Sequence, residues 1–255
     1  MHIPEPVPTD VRDEMFAGVT YHIRGQLVPE LQVELSGAPV MFEHHVMLWK
    51  EPGVQIELRK LPGGVKRKIA GIDFFVTRAI GPGRIAFSRD SAGQVIPIHI
   101  PHGHELNVRE HQFIAATDAV EYTFERVQGI RNMLVGGSGF FIDKFKATGD
   151  DAIVWVHGHG NVFEVTLDQG EQIDVEAGGW LYKDTSVKLE AVGMGLKTGL
   201  LGGGGKLTWN RFTGPGRLAI QTMFIAPLEG IEGGQGTALA EGGAIGAVLG
   251  GLLKG

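Results

Sequence analysis

The chain has 255 residues, a formal net charge of −6 and 43% hydrophobic residues, which is enough apolar content for a packed core and too much for a disordered or collagen-like chain. The absence of cysteine excludes disulfides, Cys-ligated zinc, iron–sulfur clusters and a thiol nucleophile. The negative charge gives nucleic acid no general attraction, because nonspecific binding rests on phosphate neutralisation.

Residues 1–20 read as an N-terminal arm. Their prolines and acidic residues, without a basic start or an apolar stretch, do not make a signal peptide. No later window reaches the roughly 20 apolar residues of a spanning helix, so the expected location is cytoplasmic.

Residues 21–228 read as one β domain built from three repeats of about 66 residues (about 27–94, 95–161 and 162–228). Segment 95–122 lies over 162–189 at a constant offset of 67, pairing Gly103 with Gly170, Val108 with Val175, Phe113 with Trp180 and Val120 with Val187. Gly37, Phe42, Met47 and Val54 occupy the same places 66 residues earlier. Gly71, Gly137 and Gly204 also correspond, as do Val76, Ile142 and Trp209, and the cations Arg78, Lys144 and Arg211. The run Gly81-Pro82-Gly83-Arg84 returns as Gly214-Pro215-Gly216-Arg217 and predicts type II turns with a positive φ at the second glycine.

Within each repeat, apolar and polar residues alternate as half-buried strands require, for example over 162–167 and 187–192, and no helix is expected before residue 225. Three such copies can close about a pseudo-threefold axis and hide their edges from one another. From residue 229 the composition turns to Gly-Gly-Gln-Gly and then GGAIGAVLGGLLKG, a tail too short to cross a bilayer.

Three segments carry a family resemblance: Phe113-Ile114-Ala115-Ala116-Thr117, Gly136-Gly137-Ser138-Gly139-Phe140-Phe141 and Thr213-Gly214-Pro215-Gly216-Arg217, together with the glycine-rich tail. The sequence resembles the bacterial branch of the altered-inheritance-of-mitochondria protein 24 family over roughly residues 20–225. That resemblance implies an all-β fold of the double-stranded β-helix type, similar to the tryptophan RNA-binding attenuation protein, with three copies about a pseudo-threefold axis. It implies a membrane-organising role for the mitochondrial relatives and carries over no catalytic residue.

Histidines are the main candidates for chemistry. His102 and His104 lie in HIPHGHE, and His157 and His159 form a second His-x-His, a pattern that on a strand turns both imidazoles to one face. A cupin-type metal enzyme would use such a pair with a carboxylate. Here, however, Glu105 follows His104 directly and the repeat register puts His102 and His104 astride a turn glycine, so the surface reading is preferred. Arg78, Lys144 and Arg211 could converge on an anion or partner, against the blander expectation that each pairs with a neighbouring carboxylate. Arg59, Lys60, Lys66, Arg67 and Lys68 form a basic loop suited to an anionic surface. The aromatics Phe74, Phe113, Phe140, Trp180 and Trp209 alternate at equivalent places and are expected in the core. The glycine runs 136–139 and 202–205 lack the Lys-Ser/Thr of a phosphate loop.

These features favour a scaffold or interaction protein without turnover and without a cofactor. It would bind a protein partner or itself as a homo-oligomer, with peripheral membrane contact through residues 242–253. The metal-dependent cupin-type enzyme is the alternative, and RNA binding is a fold-level analogy that the net charge opposes.

Overall fold

The computed structural model describes residues 2–7, 14–60, 75–126, 141–176, 178–193 and 208–223. These are strands joined by turns, with a single 3-10 turn at His44–Val46 among the described residues. The N-terminal segment supplies β1 (Glu5–Pro6), β2 (Glu14–Phe16) and β3 (Val19–Arg24). Next come β4 (Glu30–Leu35), β5 (Val40–Phe42), β6 (Met47–Lys50), β7 (Gln55–Lys60), β8 (Phe75–Ile80) and β9 (Gly83–Phe87). The middle of the chain gives β10 (Gly93–Ile100), β11 (Glu105–Arg109), β12 (Phe113–Thr117), β13 (Val120–Arg126), β14 (Phe141–Ala147) and β15 (Ala152–His159). The last six are β16 (Val162–Leu167), β17 (Gln172–Glu176), β18 (Trp180–Asp184), β19 (Lys188–Gly193), β20 (Thr208–Thr213) and β21 (Gly216–Gln221).

One pairing scheme recurs along the chain. In each set of six strands the first and third flank the sixth, and the second and fourth flank the fifth: β4 and β6 on β9, β5 and β7 on β8, then β10 and β12 on β15, β11 and β13 on β14, then β16 and β18 on β21, β17 and β19 on β20. The third strand of each set carries its register shift at the matching place, between Met47 and Trp49, Phe113 and Ala115, and Trp180 and Tyr182. Such shifts re-aim a strand and sharpen its twist.

Among the described residues the sheets are four, all antiparallel: β1-β16-β21-β18-β11-β14-β13, β10-β15-β12-β5-β8-β7, β17-β20-β19 and β2-β3-β4-β9-β6. This corrects the expected double-stranded β-helix, attenuation-protein-like and closed about a pseudo-threefold axis. None of the four sheets closes or curls into a barrel. The physical reason is legible in the strand order: closure would require β6 to meet β17, and each instead stands at the end of its own sheet.

Burial follows the strand patterns. β3 alternates because only one of its faces is covered, whereas β12 and most of β15 are buried on both faces and therefore read as continuous apolar runs. Three core clusters result. The first joins Val19, Tyr21, Leu31, Phe42 and Phe87 to Ile114, Ala115 and Trp155. The second gathers Ile98, Leu106, Phe113, Phe145 and Val154 with Met41, Val76, Leu181 and Tyr182. The third packs Trp180, Phe212, Val187 and Leu218 with Ile142. Each core thus borrows side chains from a neighbouring set of strands.

The glycine-proline turns differ in detail from expectation. Gly83 and Gly216 do have φ near +134, but the Gly81–Pro82 and Gly214–Pro215 bonds are cis. Gly81 and Gly214 are fixed by close approach: a Cβ there would stand 2.2 Å from the Leu35 carbonyl oxygen and 2.3 Å from that of Asp168.

Candidate interaction surface

The two histidine pairs do not converge. His102 and His104 sit in the exposed turn after β10, where the His102 amide donates to Asp151 Oδ1 at 2.8 Å and the His104 amide to the Pro101 carbonyl at 2.9 Å. His157 and His159 pair with Val95 and Gly93 at the other end of the same strand. Five residues of strand, about 17 Å, separate Val95 from Ile100, so the pairs cannot share one metal ion.

His157 and His159 do turn to one face of β15, with ring centroids 5.2 Å apart. His157 is fully buried and neither of its nitrogens makes a well-formed hydrogen bond. Burial, with smaller contributions from His159 and Arg89, outweighs the Ser91 backbone and pushes its pKa down to about 3. It is a neutral core histidine. His159 lies 3.0 Å from Ser91 Oγ through Nδ1 and 3.3 Å from Gln112 Nε2 through Nε2, and burial followed by Arg89 and Arg109 lowers its pKa as well. Arg89 is itself held by Glu43 and by the Phe113 carbonyl at 2.6 Å.

One carboxylate–histidine group that sequence reasoning missed comes together at the surface. The His2 ring lies 3.1 Å from Asp168 Oδ2, and the His2 amide donates to Glu171 Oε1 at 2.6 Å. Among the described residues it is the one group of three with donors close enough to hold a cation. Nothing in the spacing of positions 2, 168 and 171 could have indicated it, because the contact depends on β1 adding to β16.

The three equivalent cations each meet carboxylates. Arg78 bonds Asp118 at 2.8 Å, and Arg59 reaches the other oxygen of the same carboxylate at 3.0 Å. Lys144 lies between Glu105 at 3.2 Å and Glu125 at 3.3 Å. Arg211 grips Asp174 with two bonds of 2.7 Å, which holds that carboxyl below its usual range. Lys60 ends β7, and Lys66, Arg67 and Lys68 lie outside the described residues, as do both glycine runs, Phe74, Phe140 and the tail 242–253.

The departure from expectation is an exposed apolar strip. Met47, Leu48 and Trp49 on β6 are 42%, 59% and 37% exposed, although their counterparts Phe113, Ile114 and Ala115, and Trp180, Leu181 and Tyr182, are at most 3% exposed. Trp209, expected in the core, is 38% exposed while its counterparts Val76 and Ile142 are buried. All three copies are apolar at these places, so only the cover, absent from the sequence pattern, distinguishes them. A contiguous exposed run of large apolar side chains on a folded surface is a mark of an interaction site.

The comparisons agree with an all-β chain of this type. The crystal structure of protein SPYM3_0169 from Streptococcus pyogenes is similar over 81% of this chain and 94% of its own, with 17% identity and a TM-score of 0.63, a likeness of fold. A search of curated proteins gave no significant match. The family model for mitochondrial biogenesis AIM24 matches residues 21–223, and the chain belongs to that family.

Proposed function

We propose that the chain is a non-enzymatic scaffold or interaction protein whose docking element is the β6 strip of Met47, Leu48 and Trp49. The observation that carries this is their exposure on an edge strand whose equivalents are covered in both other copies. The cations that might have made an anion site are occupied by carboxylates, and the paired histidines lie at opposite ends of a strand, which supports holding over turnover. We place the protein in the cytoplasm, with the 242–253 segment as a peripheral membrane contact. One short apolar element gives marginal affinity, so assembly or the basic loop would supply the second signal.

The test compares recovery of cross-linked partners, including other copies of the chain, from cells expressing the full chain, a Leu48→Glu variant and an Ile3→Glu control; Ile3 is also exposed but far along the sequence from β6. Leu48→Glu is expected to reduce recovery at least tenfold and the control to leave it unchanged. Equal recovery by all three would overturn the assignment of β6. For the membrane contact, liposome flotation of the full chain should exceed that of the 1–229 form; equal flotation removes that role.

A further inference from the structure

The described residues contain two seams at which sheets from successive sets of strands are spliced. At one, β12 adds to β5 through Ala115 opposite Phe42, Ala116 opposite Met41 and Thr117 opposite Val40. At the other, β18 adds to β11 through Tyr182 opposite Val108, Lys183 opposite Asn107 and Asp184 opposite Leu106. In both, the third strand of one set joins the second strand of the set before it, in the same register. Among the described residues, under that rule, β6 is a third strand with no preceding set, and β17 is a second strand with no following set. Both are terminal strands of their sheets, and neither pairs with the other within the chain.

We propose that β6 of one copy adds antiparallel to β17 of a second copy, joining molecules head to tail. Advancing the observed register by the repeat offsets places Trp49 opposite Val175, Lys50 opposite Asp174 and Glu51 opposite Ile173. This rests on the interaction reading above and names its partner as another copy of this chain.

Four observations support the match. Trp49 is the counterpart of the buried seam residues Ala115 and Tyr182, and Met47 and Leu48 are the counterparts of the buried residues just before them. β17 is correspondingly under-covered: Ile173 is half-buried and Asp174 exposed, while their counterparts Leu106 and Asn107 in β11 are buried. Lys50 is already set as a seam residue: its Nζ donates to the Val54 carbonyl at 2.9 Å, as Lys183, buried in the second seam, donates to the Val187 carbonyl at 2.7 Å. The expected pairing brings Lys50 against Asp174, opposite charges on directly facing strand positions. Trp209 fits the same scheme. Its counterpart Val76 packs into the second core and Ile142 into the third, each reaching the following set of strands, whereas for Trp209 the described residues contain no following set. Edge-strand addition of this kind takes its affinity from main-chain hydrogen bonds and its specificity from the alternate side chains. Because the two surfaces differ, the contact is heterologous and propagates into a ring or a filament.

The absence of cysteine makes a clean test possible. Directly opposed residues of antiparallel strands have Cα atoms about 4.5–5.5 Å apart, within disulfide range. Lys50→Cys and Asp174→Cys are introduced in separate full-length chains and oxidised alone, mixed one to one, and combined in one chain. The expected result is a cross-linked dimer in the mixture, little product from either single variant alone, and a ladder of multimers from the double variant. A compact monomeric product from the double variant would mean closure within one chain, and a dimer from Lys50→Cys alone would mean β6 pairing with itself; either overturns the proposal. As a cysteine-free check, sedimentation of the unaltered chain should show mass rising with concentration, and Lys50→Glu, which faces like charge, should weaken association about tenfold. A chain that stays monomeric at every concentration refutes head-to-tail joining. If β6 is nevertheless required for partner recovery in cells, the docking surface stands and only its occupant changes.

Discussion

His157 provides the sharpest test of the packing described here. Its ring is fully buried and its pKa is lowered to about 3, against about 6.5 for an exposed imidazole. Between those values the unfolded chain binds a proton that the native chain refuses, so stability falls as the pH drops through 6.5 and keeps falling towards 3. At pH 5 the unfolded ring is almost wholly protonated and the native ring almost wholly neutral, a difference of about 1.5 pH units of linkage or about 2 kcal/mol. That is a substantial share of the roughly 5–15 kcal/mol that holds a typical domain folded. The assay is urea unfolding at pH 7.5, 6 and 5, followed by tryptophan fluorescence. The lowered carboxylates Glu51, Glu171 and Asp174 act at more acidic pH than this window. His159 shares the direction of the effect, so the decisive quantity is the difference between the unaltered chain and His157→Gln. The variant is less stable at pH 7.5 but loses about 2 kcal/mol less on going to pH 5. If both lose the same amount, His157 is not buried and neutral.

Three other outcomes are expected. Gly214→Ala forces a methyl onto the Asp168 carbonyl and Leu167, and should lower stability by about 3 kcal/mol in the same urea assay, whereas a loss under 1 kcal/mol would mean the turn relaxes easily. Trp155→Ala, emptying a fully buried site in the first core, should cost about 3–5 kcal/mol, and Trp209→Ala no more than about 1 in dilute protein, since its ring is partly in solvent. Asp118→Asn removes the charge facing both Arg59 and Arg78 and leaves one carbonyl oxygen to accept, yet these groups are about one-third exposed, so unfolding at low and high salt should show a change below about 1 kcal/mol.

The strands were legible because their chemistry is local. Alternation in 162–167 and the turn glycines at 103 and 170 each state their own conformation, and the structure has strands and positive-φ turns there. Closure about an axis was not legible, because it depends on whether β6 and β17 meet, and Met47-Leu48-Trp49 is as apolar as the covered runs it resembles. The His-x-His motifs illustrate the same limit. Their spacing puts the His157 and His159 rings on one face of β15, but it does not reveal that His102 and His104 lie beyond the far end of its partner strand β10. The Asp118 contact with both Arg59 and Arg78 crosses between sets of strands and has no sequence signature.

Shared cores also constrain the order in which the chain can be built. The first core contains Tyr21, Leu31, Phe42 and Phe87, but it is finished by Ile114, Ala115, Ile153 and Trp155. When Phe87 leaves the ribosome, 68 further residues, counting 155 less 87, must follow before the last of these side chains arrives. At about 5–20 residues per second that interval is roughly 3–14 s. Through it, the early strands carry an unfinished apolar face. A chain cut short before Trp155 is therefore expected to leave that face bare and to be digested faster by added protease than the full chain.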